Sequence, residues 1–500
     1  MKNILFLILT SSASLAAIPA VGPDYKLPET TTPSEYRYAS PVVEWNPAMP
    51  SDGAPRGHWW AAFGDSTLNG LEARALSGNQ DLRMAAARVE QAYASAGIAS
   101  AAYAPQLAVQ AAASRSQQSS TVGNPYPDLL SNDYSVPIIA TWELDLFGRV
   151  RRLNESARAD AEASASELES VRLSLSANVA ATYFTLRGLD REIAILRDTS
   201  ALRQRSLDLI SAQYRGGVAT ELDTARAQTE LATVNAETHA LEARRESAQG
   251  ALAVLVGDSA ITFTVAPAAT DIAVPNTPAG IPSGLLERRP DVAAAERELA
   301  ASSARIGVAR AAFFPAISLT GSAGFESGGT EHLFGSDSRI WAFGPSIYLP
   351  IFQGGRNRAN LDRAKGVFDE NVAAYRQRVL QAFDEVQDAL SSTHILADQA
   401  LSQDQAVKAA KQASQLAQKR YDAGYVSYLD VVEADRTELE SERSAVQLES
   451  QRLNVAVALI KALGGGWQRP LVSVSALSGQ PGTPKRLLGD GSPHAQAASI

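Results

Sequence analysis

Apolar and polar residues alternate with a period of two from residue 133 to 147. Tyr134, Val136, Ile138, Ala140, Trp142 and Leu144 fall on one side of an extended chain; Ser135, Thr141, Glu143 and Asp145 fall on the other. Successive strand side chains point to opposite faces, so the stretch predicts a strand with one apolar and one polar face. A second such stretch covers residues 339–352. There Trp341, Phe343, Ile347, Leu349 and Ile351 oppose Ala342, Gly344, Ser346 and Tyr348. Shorter period-two stretches at about 107–116 and 316–325 predict two more strands. Polar loops at about 117–132 and 326–338 complete two hairpins.

Elsewhere the period lengthens to three and four. Leu168, Val171, Leu175, Val179, Leu186, Leu189, Ile193 and Leu196 form the apolar seam of a coiled-coil-like helix over about 148–214. No proline interrupts it, and about 65 residues at 1.5 Å each make a rod on the order of 100 Å. Gly216-Gly217 breaks the rod, and a return helix is predicted over about 220–256. A matching rod spans about 356–421, breaks at Gly424 and returns over about 427–463. Shorter helices precede the hairpins at about 65–104, capped by Asp65 or Ser66, and about 283–314.

This plan is built twice. Gly97-Ile98-Ala99-Ser100-Ala101-Ala102-Tyr103-Ala104-Pro105 returns as Gly307-Val308-Ala309-Arg310-Ala311-Ala312-Phe313-Phe314-Pro315, at an offset of 210 without a gap. Each copy runs an alanine-rich helix into an aromatic and a helix-ending proline. The expected organisation is a first structural repeat over 63–256, a crossover over 257–283 and a second repeat over 284–466. An extended, proline-rich strap over 21–62 precedes them, and a disordered polar tail over 467–500 follows. Lys2 and the apolar run Ile4-Leu5-Phe6-Leu7-Ile8-Leu9 read as a signal peptide over 1–20, with cleavage after Ala16 or Ala20.

Composition narrows the chemistry. The net charge of −9 and pI near 5.3 argue against a nucleic-acid partner. Cysteine is absent and the five histidines are scattered. Thiolate metal sites, disulfides and cysteine nucleophiles are therefore excluded, and no metal or cofactor is expected. Gly464-Gly465-Gly466 lacks the Lys-Ser/Thr of a phosphate loop. No catalytic set is evident, so the chain is not expected to be an enzyme. Mean hydropathy is −0.11, and no apolar run reaches the roughly 18–20 residues of a membrane helix. A membrane could be crossed only with strands.

Four strands cannot close a membrane barrel, since the smallest have about eight. Either the sheet is soluble, or several chains share one barrel. Three chains would supply twelve strands and continue them inward as a helical tunnel. The competing architecture is a periplasmic coiled-coil scaffold or adhesin with a small soluble β-domain.

Four stretches carry a resemblance: Val21-Gly22-Pro23-Asp24-Tyr25; Trp59-Trp60 with Phe63-Gly64-Asp65; Leu285-Leu286-Glu287-Arg288-Arg289-Pro290-Asp291-Val292; and Lys461-Ala462-Leu463-Gly464-Gly465-Gly466-Trp467. In this order, with the repeat, they resemble the outer membrane efflux protein family, the TolC-like outer membrane factors, most closely the NodT/OprM-type branch. The resemblance covers about residues 20–470. It implies an α+β membrane protein, a homotrimer sharing a twelve-stranded β-barrel in outer-membrane lipid, and a passive exit duct through the periplasm. It also implies a periplasmic adaptor and an inner-membrane pump as partners. An exit duct for secreted protein is an alternative within the family. This branch often carries a lipidated cysteine after the signal; the sequence has no cysteine, so no lipidation is expected.

The rod breaks are the candidate gate. The stretch from Tyr214 through Gly217 to Leu222-Asp223 matches Tyr421 through Gly424 to Leu429-Asp430 at an offset of 207. Asp430 and Glu433 are spaced i, i+3 at a helix start, where the macrodipole alone favours carboxylates. By resemblance they ring the periplasmic constriction, Leu429 adds an apolar collar, and Tyr421 and Asp223 hold the coils inward. Arg288-Arg289 reads as a tip or turn contact. Trp142, Trp341 and Tyr348 are candidates for a membrane aromatic belt, against ordinary packing.

Overall fold

The computed structural model describes residues 20–29, 58–119, 121, 130–275 and 289–465. Residues 1–19 of the expected signal peptide, most of the expected strap, part of the crossover, Arg288 and the tail lie outside the described residues. A short 3-10 helix at Trp59–Phe63 is the regular part of the described strap. Then follow α1 (Ser66–Gly78), α2 (Gln80–Ala101), β1 (Gln106–Val109), β2 (Ala112–Gln117), β3 (Leu130–Leu144), α3 (Arg149–Arg215) and α4 (Glu221–Val256). After the crossover come α5 (Pro290–Ala311), β4 (Ala316–Ser327), β5 (Arg339–Tyr348), α6 (Arg356–Asp422) and α7 (Tyr428–Ala462).

The strands form one antiparallel sheet in the order β1-β3-β4-β5, with β2 beside β3. The strand expected over 107–116 is split, and its partner supplies the reason. Gln110 N–H donates to Pro137 O at 3.0 Å, but Pro137 has no N–H to return, so the ladder skips there. The strand expected over 133–147 ends at Leu144 because Asp145 turns to cap α3. Its carboxylate accepts from the N–H groups of Val150 and Arg151 at 3.0 and 2.8 Å. The strand expected to reach 352 stops at Tyr348, ahead of Pro350.

Register aligns the polarity of all four lanes. Leu144, Ile317 and Ile347 form one row; Trp142, Leu319 and Pro345 the next; Ala140, Gly321, Phe343 and Leu107 another; Ile138, Ala323, Trp341 and Val109 a fourth. Directly paired residues share a face, so one face is apolar across these four rows; Arg339 enters it only in the next row, beside Phe325. Trp341 is 81% exposed and Phe343 72%, so among the described residues nothing covers this face. The opposite face carries Glu143, Ser318 and Ser346 in one row and Gln106, Thr141, Thr320 and Gly344 in another. Tyr348 pairs with Ala316 on that polar face. It therefore does not join Trp142 and Trp341, whose belt expectation it was to share.

The helix expected over 65–104 is two helices. At Asn79 the backbone turns extended, and the side chain does two jobs. Its Oδ1 accepts from Leu82 N–H at 2.9 Å, and its Nδ2 donates to Leu255 O at the end of α4, also at 2.9 Å. The second repeat places Arg289 at the corresponding position, and Arg289 Nη1 donates to Ala462 O at the end of α7 (3.1 Å). Each short helix is thus tied to the end of its own return helix. Arg289 is buried, forked onto Asp291 at 3.0 and 2.8 Å and bonded to Glu385 at 2.6 Å. It is a buried turn contact that braces the start of α5, so of the two expected readings the turn one holds.

The chain forms two compact units, each drawing on both halves of the sequence. One comprises Met1–Thr30, Arg88–Ala165 and Ala294–Gln377, and holds the sheet. In it the N-terminal segment is fastened by Val21 N–H donating to Phe147 O (3.0 Å), by Arg152 on Asp24 (2.7 Å) and by Tyr25 on Glu296 (3.4 Å). Gly22 adopts φ +118, and a Cβ there would lie 2.5 Å from the Cα of Gly307. Only glycine combines that conformation with that approach. The other unit comprises Thr31–Ala87, Ser166–Ala293 and Arg378–Ile500. Around its Tyr183, Phe184 and Leu186 core, Asp190 is held between Arg187 and Arg245 at 3.0 and 2.6 Å. These arginines also donate to Ala266 O and Val265 O, which pins the crossover to the helices.

Gly22→Val is expected to release the segment around residues 20–25 while leaving the sheet intact. Hydrogen exchange at Val21 N–H should accelerate at least tenfold; unchanged protection there would contradict the close-approach argument.

Candidate functional site

The two rod breaks are built alike. Gly217 and Gly424 take φ +77 and +75. In this left-handed conformation the following N–H groups fold back onto the helix end. Val218 N–H donates to Gln213 O at 2.9 Å, and Tyr425 N–H to Arg420 O at 2.8 Å. Thr220 then starts α4 and Ser427 starts α7. In each case the aspartate three residues on reaches back. Asp223 Oδ2 accepts from Thr220 N–H and Oγ1 at 3.0 and 2.6 Å; Asp430 Oδ2 accepts from Ser427 N–H and Oγ at 2.9 and 2.6 Å. These donors hold both carboxyls below the usual carboxylate range, the side-chain hydroxyl being the largest cause. Their stabilising charge is therefore present above the ordinary carboxylate pKa and is lost only as pH falls below it.

The first turns of α7 have two sides. Tyr428, Val431 and Val432 point inward and pack with Ile210 of α3 and Ala227 of α4; Leu207, Ala417 and Tyr421 border them. Tyr421 Oη donates to Gln213 Oε1 at 3.1 Å, tying α6 to α3. Leu429, Asp430 and Glu433 lie on the exposed side. Three predicted gate residues therefore share one free surface, while Tyr421 and Asp223 act inside the protomer. Asp430 is also a capping residue, whereas Glu433, exposed one turn on, takes no part in the cap.

The next turn carries a charged layer that local sequence did not reveal. Arg203 of α3 is 3% exposed and donates to Asp435 of α7 at 2.9 Å, with Glu230 of α4 at 3.9 Å. Arg436 closes on Glu230, and Ser414 of α6 donates to Asp435 at 2.8 Å. All four helices meet in this layer, and its two cations and two anions balance. One heptad further, Arg443 pairs with Glu237 at 2.6 Å and Lys411 with Glu442 at 2.6 Å. The available signal was the seven-residue recurrence of acid-base pairs at 435–436 and 442–443, but the partners lie about two hundred residues away. Among the described residues no acidic or histidine group is arranged to hold a metal ion, and no helix is long and apolar enough to cross a membrane.

The sequence profile of the outer membrane efflux protein family matches residues 71–258 and 281–465. The chain belongs to the outer membrane efflux protein family. Members of this family are outer-membrane ducts of efflux systems, and that is the location and class of this chain. It is 38% identical over 408 residues to the toluene efflux pump outer membrane protein TtgI of Pseudomonas putida, covering 81% of this chain and 86% of that protein. It is 36% identical over 442 residues to the pyoverdine export outer membrane protein OpmQ of Pseudomonas aeruginosa, covering 87% and 91%. The solved outer-membrane channel OprN superposes with a TM-score of 0.82 at 35% identity, covering 90% of this chain and all of that one.

Removing one side of the buried layer strands a charge. Asp435→Leu is expected to destabilise the helix ends by about 3 kcal/mol, whereas adding Arg203→Met should recover most of that loss. A double-mutant cycle on the denaturant midpoint checks it. Additive single effects would show that Arg203 and Asp435 are not coupled.

Proposed function

We propose that three copies of this chain form a passive exit duct, and that Glu433 and Asp430 line its periplasmic constriction. The observation that carries this reading is the sheet. It has an uncovered apolar face, a polar opposite face and two unpaired edges. In lipid each unpaired backbone group costs several kcal/mol, so the edges must meet other copies. Twelve strands from three protomers would close the barrel, with the rows of Ser318 and Thr320 facing a wet lumen and those of Phe343 and Trp341 facing lipid. Trp142 sits near the helix end of the sheet, its indole N–H donating to Tyr103 O at 3.0 Å, and suits the inner interface. Trp341 pairs four residues further along β4 and suits a higher level. Tyr348, on the polar face, suits neither.

The exposed side of α7 then supplies the gate. Three copies of Leu429 form a collar, and three copies of Glu433 and Asp430 place like charges around an axis. Such a ring attracts cations, which would hold it shut until a partner draws the coils apart. The family relationship supports a periplasmic adaptor and an inner-membrane pump as those partners, with energy coming from the pump and no catalysis in the duct. Relatives named for toluene and for pyoverdine differ too much for cargo to follow from the fold; small toxic compounds are the class proposed here.

Conductance in a planar bilayer tests the reading. The protein should form small, cation-selective openings. Glu433→Ala should enlarge them and weaken block by divalent cations, and Asp430→Ala should add to this by freeing the start of α7. Unchanged conductance and unchanged cation block in both variants would remove these acids from the gate. A protein soluble without detergent would overturn the duct itself.

A further inference from the structure

Helix α1 presents Leu68, Leu71, Glu72 and Ala75 to the interior, the i, i+3, i+4, i+7 stripe of an amphipathic helix. One of the four is an acid. Glu72 is 0% exposed, and among the described residues neither carboxyl oxygen has a hydrogen-bond partner. The one polar side chain acting on it is Ser176 of α3, whose Oγ is itself buried and unbonded. Among the described residues the ionisable groups on the surrounding elements are committed elsewhere; on α3, one turn before Ser176, Arg172 pairs with Glu169 at 2.7 Å. On α1 itself Arg74 pairs at the surface with Asp258 of the crossover. On α3 the hydroxyl of Tyr183 donates to Asp65 at 2.6 Å, and Arg187 pairs with Asp190. The end of α4 buries Leu252, Ala253 and Val256. An ionised carboxylate cannot be held in such a place without a counter-charge, so the group keeps its proton instead.

We propose that Glu72 is a neutral carboxylic acid in the folded protomer and makes the docking of α1 proton-dependent. With the proton, α1 packs as an apolar helix. Without it, a bare charge lies in the core and α1 must open to hydrate it. The opening would reach beyond α1, because Asp65 caps its start and is held by Tyr183, while Asn79 at its end is held to Leu255 O. This reading concerns the protomer and does not depend on the duct or its gate.

Burial pushes the Glu72 carboxyl up from the ordinary 4.5 to about 8. The sign follows directly. The closed state retains the proton up to about pH 8, while the opened state releases it above about pH 4.5. Closing then binds a proton throughout that window, so docking of α1 is strongest at low pH, weakens as pH rises through the window, and levels off above it.

Hydrogen exchange across residues 66–78 of the full-length folded protein, corrected for the intrinsic pH dependence of exchange, tests this from pH 5 to 9. In the wild type the opening equilibrium should rise about tenfold per pH unit relative to Glu72→Gln until about pH 8. Parallel profiles for the two proteins would overturn the proposal. Should Glu72→Gln not fold, Glu72→Leu serves as the proton-independent reference. The infrared spectrum of the wild type at neutral pH should then show a protonated-carboxyl band absent from that variant. No such band would overturn the proposal equally.

Discussion

In hydrocarbon a backbone N–H or C=O has no water to turn to, and the ladder between strands must satisfy it. The sheet of this chain satisfies its interior and leaves both rims open, at β1 with β2 on one side and β5 on the other. The same sheet sorts its side chains by polarity row by row, so its apolar face wants lipid and its polar face wants water. The two facts together exclude a finished barrel from one protomer and favour a shared one. The rest of the fold is consistent with that demand. Asp145 follows β3 directly and its carboxylate caps the start of α3, so the junction between ladder and helix is held by one side chain.

Beyond the sheet the limiting problem is charge in a thin core. Long helices packed in pairs bury only one stripe each, and alanine fills much of it, so arginine stems help to fill the remaining space. Their guanidinium heads must then find acids or carbonyls. Arg245 finds Asp190 and Val265 O, Arg289 finds Asp291, Glu385 and Ala462 O, and Arg203 finds Asp435. Each of these arginines joins segments far apart in sequence and so fixes register as well as charge. Glu72 breaks the pattern, because no arginine answers it.

Period and punctuation were legible in the sequence; long-range partners were not. The alternation around Trp142 and Trp341 named the apolar face of each strand correctly, since a period of two admits no other assignment. The rods ended within a residue or two of the expected points because Gly217 and Gly424 are cheap in the left-handed conformation and other residues are not. The break at Asn79 had a local signal, a glycine followed by a good N-cap residue, but its tertiary partner, Leu255 O, lies 176 residues away. The same holds for Arg203 and Asp435, which are 232 residues apart. Nothing local marks Glu72, because a stripe with one charge in it looks the same whether or not a counter-charge waits across the core.

The two aspartates after the breaks show why position alone could not separate structure from gate. At an N3 position a carboxylate serves the helix by accepting from the N-cap, and both Asp223 and Asp430 do so. The capping bonds occupy Oδ2 of Asp430, while its side chain remains on the exposed side beside Glu433. Under the proposed gate, one residue would serve the start of its own helix and also contribute charge to the axis. The arrangement has a mechanical consequence. A force that unwinds the first turn of α7 would release the Asp430 cap and move the charge together, so opening and loss of the cap would be one event. Glu433, with no such bond, would follow the backbone passively. The exposed face of α7 would then hold two acids with different roles, Asp430 coupling charge to helix integrity and Glu433 supplying charge alone.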